Sequence, residues 1–204
     1  MKGPMIYKEG DGPLRAYSIE RKTKETQISV NLCLDGGEIQ ISTGIGFFDH
    51  MLTALAFYGG WGLEITAQGD LEVDGHHTVE DVGIALGQAL SGALEDSKGI
   101  RRFASAYIPM DEALCFTALD FSNRPFLVFD AEMPQPMIGD YDSCLTEEFM
   151  RAFAMNSGLT LHMKALYGKN AHHITEALFK SLGVAIKDAV QVTGTGVTST
   201  KGVL

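Results

Sequence analysis

Polar and apolar residues alternate along the first readable stretch of the chain. The alternation runs from Ala16 to Arg21 and again through Gln27-Ile-Ser-Val-Asn-Leu-Cys-Leu34, the period of two that a half-buried strand requires. Asp35-Gly36-Gly37 is a hairpin turn signal, and Glu38 to Ser42 resumes the alternation. The period then changes. From about Phe47 to Tyr58, Phe48, Met51, Leu52 and Leu55 share one helical face, and Gly59-Gly60 ends the run. Gly62 to Ala67 reads as a strand. From His76 onward, Val79, Val82, Leu86, Leu90 and Ala93 make the apolar stripe of a longer helix.

The second half repeats that order. Arg102 to Ile108, Leu114 to Leu119 and Phe126 to Ala131 predict three strands, and Met133 to Asp142 a loop. Thr146 is the expected N-cap of a helix that carries Glu147 and Glu148 in its first turn and ends near Asn156-Ser-Gly158. Leu159 to Lys164 is a strand. His172 opens a last helix with Ile174, Leu178, Leu182, Ile186 and Val190 buried. Each half reads β-β-β-α-β-α. The expected fold is an α+β sandwich, internally duplicated, with the helices between two mostly antiparallel sheets. Residues 1–13 are expected to be a loose tail, 14–100 the first half, 101–192 the second, and 193–204 a substrate-contacting C-terminal tail.

Composition narrows the function. A hydrophobic content of 45% suits a globular core. A formal charge of −10 argues against sequence-independent nucleic-acid binding, though not against a local basic pocket for a small phosphate. No apolar run is long enough to span a bilayer, and no secretory signal opens the chain. Cys33, Cys115 and Cys144 are far apart and outside any CxxC spacing, which fits a reduced, cytoplasmic protein.

The chemistry lies in a repeated motif. Asp74-Gly-His76-His77-Thr-Val-Glu80-Asp81 returns as Asn170-Ala-His172-His173-Ile-Thr-Glu176-Ala177, 96 positions on. Four of the six histidines sit in these two copies. On a helix the second His and the Glu, three apart, share a face, while the first His points about 100° away. Adjacent histidines so splayed suit two ions, one on each side. Imidazole and carboxylate are ligands for a borderline divalent metal. His50 and His162 are left over. One for each ion gives three His and one Glu apiece, with positions open for substrate or water on an octahedral ion.

With Phe48-Asp-His50-Met-Leu, His76-His-Thr-Val-Glu80-Asp, Ile108-Pro-Met-Asp111-Glu112, His172-His-Ile-Thr-Glu176-Ala and Ser199-Thr-Lys201-Gly in order, the chain resembles the imidazoleglycerol-phosphate dehydratase family from about Arg15 to Leu204. The resemblance implies a lyase of histidine biosynthesis that turns imidazole glycerol phosphate into imidazole acetol phosphate and water, with two manganese ions per active site. It also implies a homo-oligomeric cage of about 24 subunits with the metals at subunit contacts. It places His50, His77, Glu80 and His172 on one ion, and His76, His162, His173 and Glu176 on the other. It matches Glu25 to a glutamate that reaches the substrate, and Arg102, Arg124, Lys180, Ser199, Thr200 and Lys201 to positions that hold substrate, chiefly its phosphate. Where some members carry a Gln and a second His on the first helix, this chain has Ala54 and Tyr58. At this length no fused phosphatase domain is expected.

The expected chemistry starts from an imidazolate held between two cations, which expels the neighbouring hydroxyl and acidifies the next C–H. Glu25 is the first candidate for the acid–base group. Asp111 and Glu112 are weaker candidates that instead orient ligand histidines. The rival reading is a metal-storage or metal-sensing shell, which has no use for a phosphate clamp.

Overall fold

A computed structural model describes residues 14–202; the tail expected over 1–13 lies outside the described residues. The first half contributes β1 (Ala16–Lys22), β2 (Thr26–Cys33), β3 (Ile39–Ser42), α1 (Gly46–Gly59), β4 (Gly62–Gly69) and α2 (His76–Leu94). The second contributes β5 (Phe103–Met110), β6 (Ala113–Asp120), β7 (Phe126–Asp130), the short pair β8 (Met137–Ile138) and β9 (Tyr141–Asp142), α3 (Leu145–Ser157), β10 (Thr160–Tyr167) and α4 (Ala171–Ala189).

Each half folds its strands into one four-stranded sheet, in the order β1-β2-β4-β3 and β5-β6-β10-β7. Inner strands pair antiparallel, and the edge strands β3 and β7 pair parallel with β4 and β10. Asp35-Gly36-Gly37 is therefore not a hairpin turn. The chain leaves β2 there and crosses to the far edge, where β3 pairs with β4. The chain does turn there, but a turn does not choose its strand partner. The expected loop over 133–142 holds the small β8–β9 hairpin. α3 starts after Cys144 rather than at a Thr146 cap. Thr146 is buried inside the first turn, its hydroxyl 3.2 Å from the Tyr141 hydroxyl.

The helices fill the space between the sheets. α2 lies on β1 and β2, α4 on β5 and β6, and across the middle α2 meets α3 while α1 meets α4. Each half thus packs its second helix on the first helix of the other. Val79, Val82, Leu86 and Leu90 on α2 are fully buried, as are Leu178, Leu182 and Ile186 on α4. Each such side chain contributes roughly 1.5–3 kcal/mol relative to exposure. Phe48, Tyr141, Phe149 and Phe179 join the halves through ring contacts of 5.1–6.1 Å. Among the described residues no helix is long and apolar enough to cross a membrane.

The crossings are close because glycine stands at both. A Cβ on Gly87 would lie 2.7 Å from the Phe153 carbonyl oxygen, and one on Gly183 would lie 2.6 Å from that of Leu55. Alanine at Gly183 would gain about 1 kcal/mol of helix propensity but forces backbone apart, an overpacking cost of about 1–3 kcal/mol. Gly183→Ala is expected to lower stability by up to about 2 kcal/mol net, read as a lower midpoint of urea unfolding.

Candidate active site

Both double-histidine motifs open helices. The Asp74 carboxylate accepts the His76 backbone N–H at 2.8 Å, and the Asn170 side-chain oxygen accepts that of His172 at 2.9 Å, so each pair stands in a capped first turn. His50 sits in the first turns of α1, next to Asp49, whose carboxylate takes the Thr43 N–H at 2.8 Å and hydroxyl at 2.6 Å. Because α1 packs on α4, His50 Nε2 comes to 3.3 Å from Glu176 Oε2, and His172 Nε2 lies 3.2 Å from the same oxygen. One donor atom from each of the three lies within 4.8 Å of the others. Glu176 is 6% exposed, and its other oxygen takes Lys180 Nζ at 2.6 Å. Burial pushes the Glu176 carboxyl up, but Lys180 and His50 outweigh it and hold it below the usual range. Two imidazoles and one fixed carboxylate form a donor set that suits a divalent transition metal.

The second histidine of each motif is oriented by a carboxylate. Asp70 lies 3.0 Å from His77 Nδ1, and Glu112 lies 2.6 Å from His173 Nδ1. A carboxylate that accepts a hydrogen bond from Nδ1–H leaves Nε2 as the free ligand nitrogen. The Asp70 contact raises the His77 pKa. The His173 contact, with the Lys169 N–H, pulls the Glu112 carboxyl down to about 2. A further acid stands off each Nε2: Glu25 at 3.9 Å from His77, and Asp111 at 3.6 Å from His173.

Within one chain His50 and His172 meet at Glu176, and Glu80 lies 4.0 Å from His76. The reason is helical: in each motif the first His and the Glu are four apart and stack on one face, a closer match than the three-residue spacing of the second His. His162 joins neither group. It is exposed on β10 in register with Ala118 and Val128, while its neighbours Leu161 and Met163 point into the core. Ala54 is buried in the α1 packing face, and the Tyr58 ring lies 5.3 Å from Lys180 Nζ. Asp70 and Phe47, whose ring is 4.9 Å from that of His172, had no signal in the sequence. Asp70 closes on His77 only because β4 delivers it beside the start of α2.

A second locus is basic. Arg102, Arg124, Ser199, Thr200 and Lys201 line one open cavity of about 800 Å³ with Ser122 and Asn123. Lys180 is not there; it belongs to the Glu176 group. Arg102 is clamped by Asp120 through two N–H bonds of 2.6 and 3.1 Å, and donates another of 2.6 Å to the Thr198 carbonyl, which ties the C-terminal segment to the cavity rim. Arg102 precedes β5 and Asp111 follows it. A strand of eight residues at ~3.3 Å each separates the two ends by about 23 Å. The N–H of Arg102 also bonds to the carbonyl of Ala189 at the far end of α4, so the helix gives the same long separation.

The family model described as imidazoleglycerol-phosphate dehydratase matches residues 43–186. The imidazoleglycerol-phosphate dehydratase of Acetivibrio thermocellus is 54% identical over 193 residues, covering 93% of this chain and 99% of that one. The enzyme of the same name from Exiguobacterium is 54% identical over 191 residues, covering 93% and 98%. The crystal structure of the Staphylococcus aureus imidazoleglycerol-phosphate dehydratase superposes with a TM-score of 0.81 at 39% identity, over 87% of this chain and 99% of that one. That of Pyrococcus furiosus superposes with a TM-score of 0.80 at 42% identity, over 91% and 100%. Sequence and fold agree throughout, and the chain belongs to the imidazoleglycerol-phosphate dehydratase family of hydro-lyases.

Proposed function

We propose that the chain dehydrates imidazole glycerol phosphate to imidazole acetol phosphate in histidine biosynthesis, at a site that uses two divalent cations, manganese by family resemblance, and is completed by another copy of the chain. The observation that carries this reading is the meeting of His50 on α1 with His172 and Glu176 on α4, their donor atoms within 4.8 Å. The storage-shell alternative has no observation in its favour.

By resemblance His50, His77, Glu80 and His172 would hold one cation and His76, His162, His173 and Glu176 the other, with each set drawn from more than one copy; the approach of His50, His172 and Glu176 within one chain brings members of both sets together. Bound cations would lower the pKa of the substrate imidazole and favour loss of the hydroxyl on the carbon beside it. The residues of the chain do the rest. Asp70 and Glu112 hold the ring proton on Nδ1, so the neutral tautomers of His77 and His173 present Nε2. Glu25, half-exposed and 3.9 Å from His77, removes the proton from the carbon next to the one that loses hydroxide. The hydroxide leaves as water, and the enol that remains becomes the ketone. Asp111 and Glu112 face His173 and orient it. Arg102, Arg124 and Lys201 hold the phosphate, with forked guanidiniums and an ammonium suited to its oxygens.

The need for a second copy follows from distance. Across the roughly 23 Å of β5, a five-membered ring with a three-carbon arm and one phosphate cannot join the histidine end to the basic cavity of the same chain. The outer face of the β5-β6-β10-β7 sheet supports the same reading. It exposes Phe103, Tyr107, Phe126 and Val128 beside His162, whereas the outer face of the other sheet carries Glu20, Gln27, Asn31, Glu64 and Gln68. An apolar exposed sheet face beside a polar one marks the contact side. By resemblance the copies form a cage of about 24.

Removing metal with a chelator is expected to abolish turnover and to loosen the assembly, and restoring Mn²⁺ to recover both; ketone formation and particle size check it, and an active metal-free enzyme would refute it. Glu25→Gln is expected to keep bound metal and lower kcat at least about 100-fold. Near-normal turnover in that variant would remove Glu25 from the chemistry.

A further inference from the structure

The two halves hold their first hairpin against their second helix in different ways. The registers of β1–β2 and β5–β6 coincide at a shift of 87 residues: Arg21 pairs with Ile28 as Ile108 pairs with Cys115. Glu25 therefore occupies the turn position that Glu112 occupies in the second half. Glu112 is fully committed there. One oxygen accepts the N–H groups of Lys169 and Asn170 at 3.0 and 2.9 Å, and the other binds His173 at 2.6 Å. It fastens its turn to the start of α4. Glu25 makes no such bond, and its nearest partner is His77 at 3.9 Å.

What fastens the first turn is Asp81, one helical turn beyond His77 on α2. It is 6% exposed. Its Oδ1 accepts Arg21 Nε and Nη2, both at 2.8 Å, and its Oδ2 accepts the Thr26 hydroxyl at 2.5 Å. Thr26 directly follows Glu25 and is 4% exposed. The Thr23 hydroxyl accepts the N–H of Glu25 at 3.1 Å and that of Thr26 at 2.9 Å, which closes the turn on itself. The same three places in the second half are Ile108, Ala113 and Ala177, with the two alanines buried. A polar bolt stands in one half and plain apolar packing in the other, on one scaffold. A buried carboxylate with its cation is weak evidence for stability, since apolar replacements of such groups are often neutral or better. Its retention only beneath the turn whose glutamate is free calls for another reason.

We propose that Asp81, with Arg21 and Thr26, is a positioning residue: it takes over the fastening of the β1–β2 turn so that the carboxylate of Glu25 stays uncommitted and is held over His77 for proton transfer. The proposal rests on the reading of Glu25 as the acid–base group. It touches neither substrate nor cation itself. Two rungs one turn apart on α2, Glu25 on His77 and Thr26 with Arg21 on Asp81, fix both the height and the tilt of the hairpin tip. Displacement of a reacting group by an ångström costs on the order of 100-fold in rate.

The test is a double-mutant cycle on the assembled, metal-loaded enzyme. Asp81→Asn is expected to lower kcat about 10- to 100-fold, with KM within about twofold and bound metal per chain unchanged. In the Glu25→Gln background the same change is expected to cost less than about twofold, because the group it positions is gone. Equal losses in both backgrounds, loss of metal, or no loss at all would overturn the proposal. Glu25→Gln by itself reads the underlying assignment. If it loses turnover while Asp81→Asn does not, the assignment stands and the positioning role falls; if it loses none, both fall. Should Asp81→Asn misfold, the triple variant Arg21→Ile, Thr26→Ala, Asp81→Ala copies the packing of the second half. It is expected to fold with unchanged particle size and to show the same non-additive loss of kcat; full activity in it would overturn the proposal equally.

Discussion

Where α4 crosses α1, the Leu55 carbonyl oxygen occupies the space that any side chain at position 183 would need. That approach decides where His50 stands. His50 belongs to the first half and Glu176 to the second, and nothing in the local sequence of either draws them to 3.3 Å. The distance is set by two helices in backbone contact, with Phe48, Tyr141 and Phe149 packed beside the crossing. The matching approach at Gly87 sets α3 against α2, so the interlock is made twice. A donor set built across a helix crossing is pre-organised: its spacing is that of the core, which resists compression and does not drift as a loop would.

Duplication supplied two copies of each part, and the copies have since diverged in charge. Glu176 is tethered by Lys180, four residues on, whereas the residue four beyond Glu80 is Ile84. One carboxylate is buried and held, and the other is half-exposed. His77 and His173 are oriented alike, but by Asp70 from a strand end and by Glu112 from a hairpin turn. The equivalent tasks are kept and the residues that perform them exchanged. The Tyr58 ring lies 5.3 Å from Lys180 Nζ, which in turn pairs with Glu176.

Much of the fold was legible because period and capping act locally. The alternation in β2, the stripes of α2 and α4, and the histidine pairs at helix starts follow from spacing alone. Strand partnership was not legible. The Gly36-Gly37 turn reads the same whether the chain returns to its neighbour or crosses to the far edge, and here it crosses. The histidines and glutamates are likewise legible by counting, but which of them lie closest within one chain is not. Spacing ranks His77 nearer Glu80, while helical stacking puts His76 there, and the partner of His50 depends on tertiary packing that no motif encodes. Lys180 reads in sequence as one more surface cation for phosphate. Within one chain it lies half-buried beside Glu176, a partner that spacing in the sequence does not single out.

The placement of charge carries the last step. The chain is acidic overall, with a net charge of −10, yet Arg102, Arg124 and Lys201 converge at one end of the second sheet. Glu25, Asp70, Glu80, Asp111 and Glu112 gather around the histidines at the helix starts. A cavity for phosphate beside those carboxylates would be opposed by their field, and a cation site beside three cationic side chains would be weakened by theirs. With the two loci a strand length apart, neither field opposes the other within a single chain. On the proposed reading the same separation makes one copy complementary to another, the basic end and exposed His162 face of one meeting the acidic histidine end of the next. Contacts of that head-to-tail kind either close or run on as filaments, so closure into a finite shell is what gives every histidine end on the proposed reading a basic end to meet.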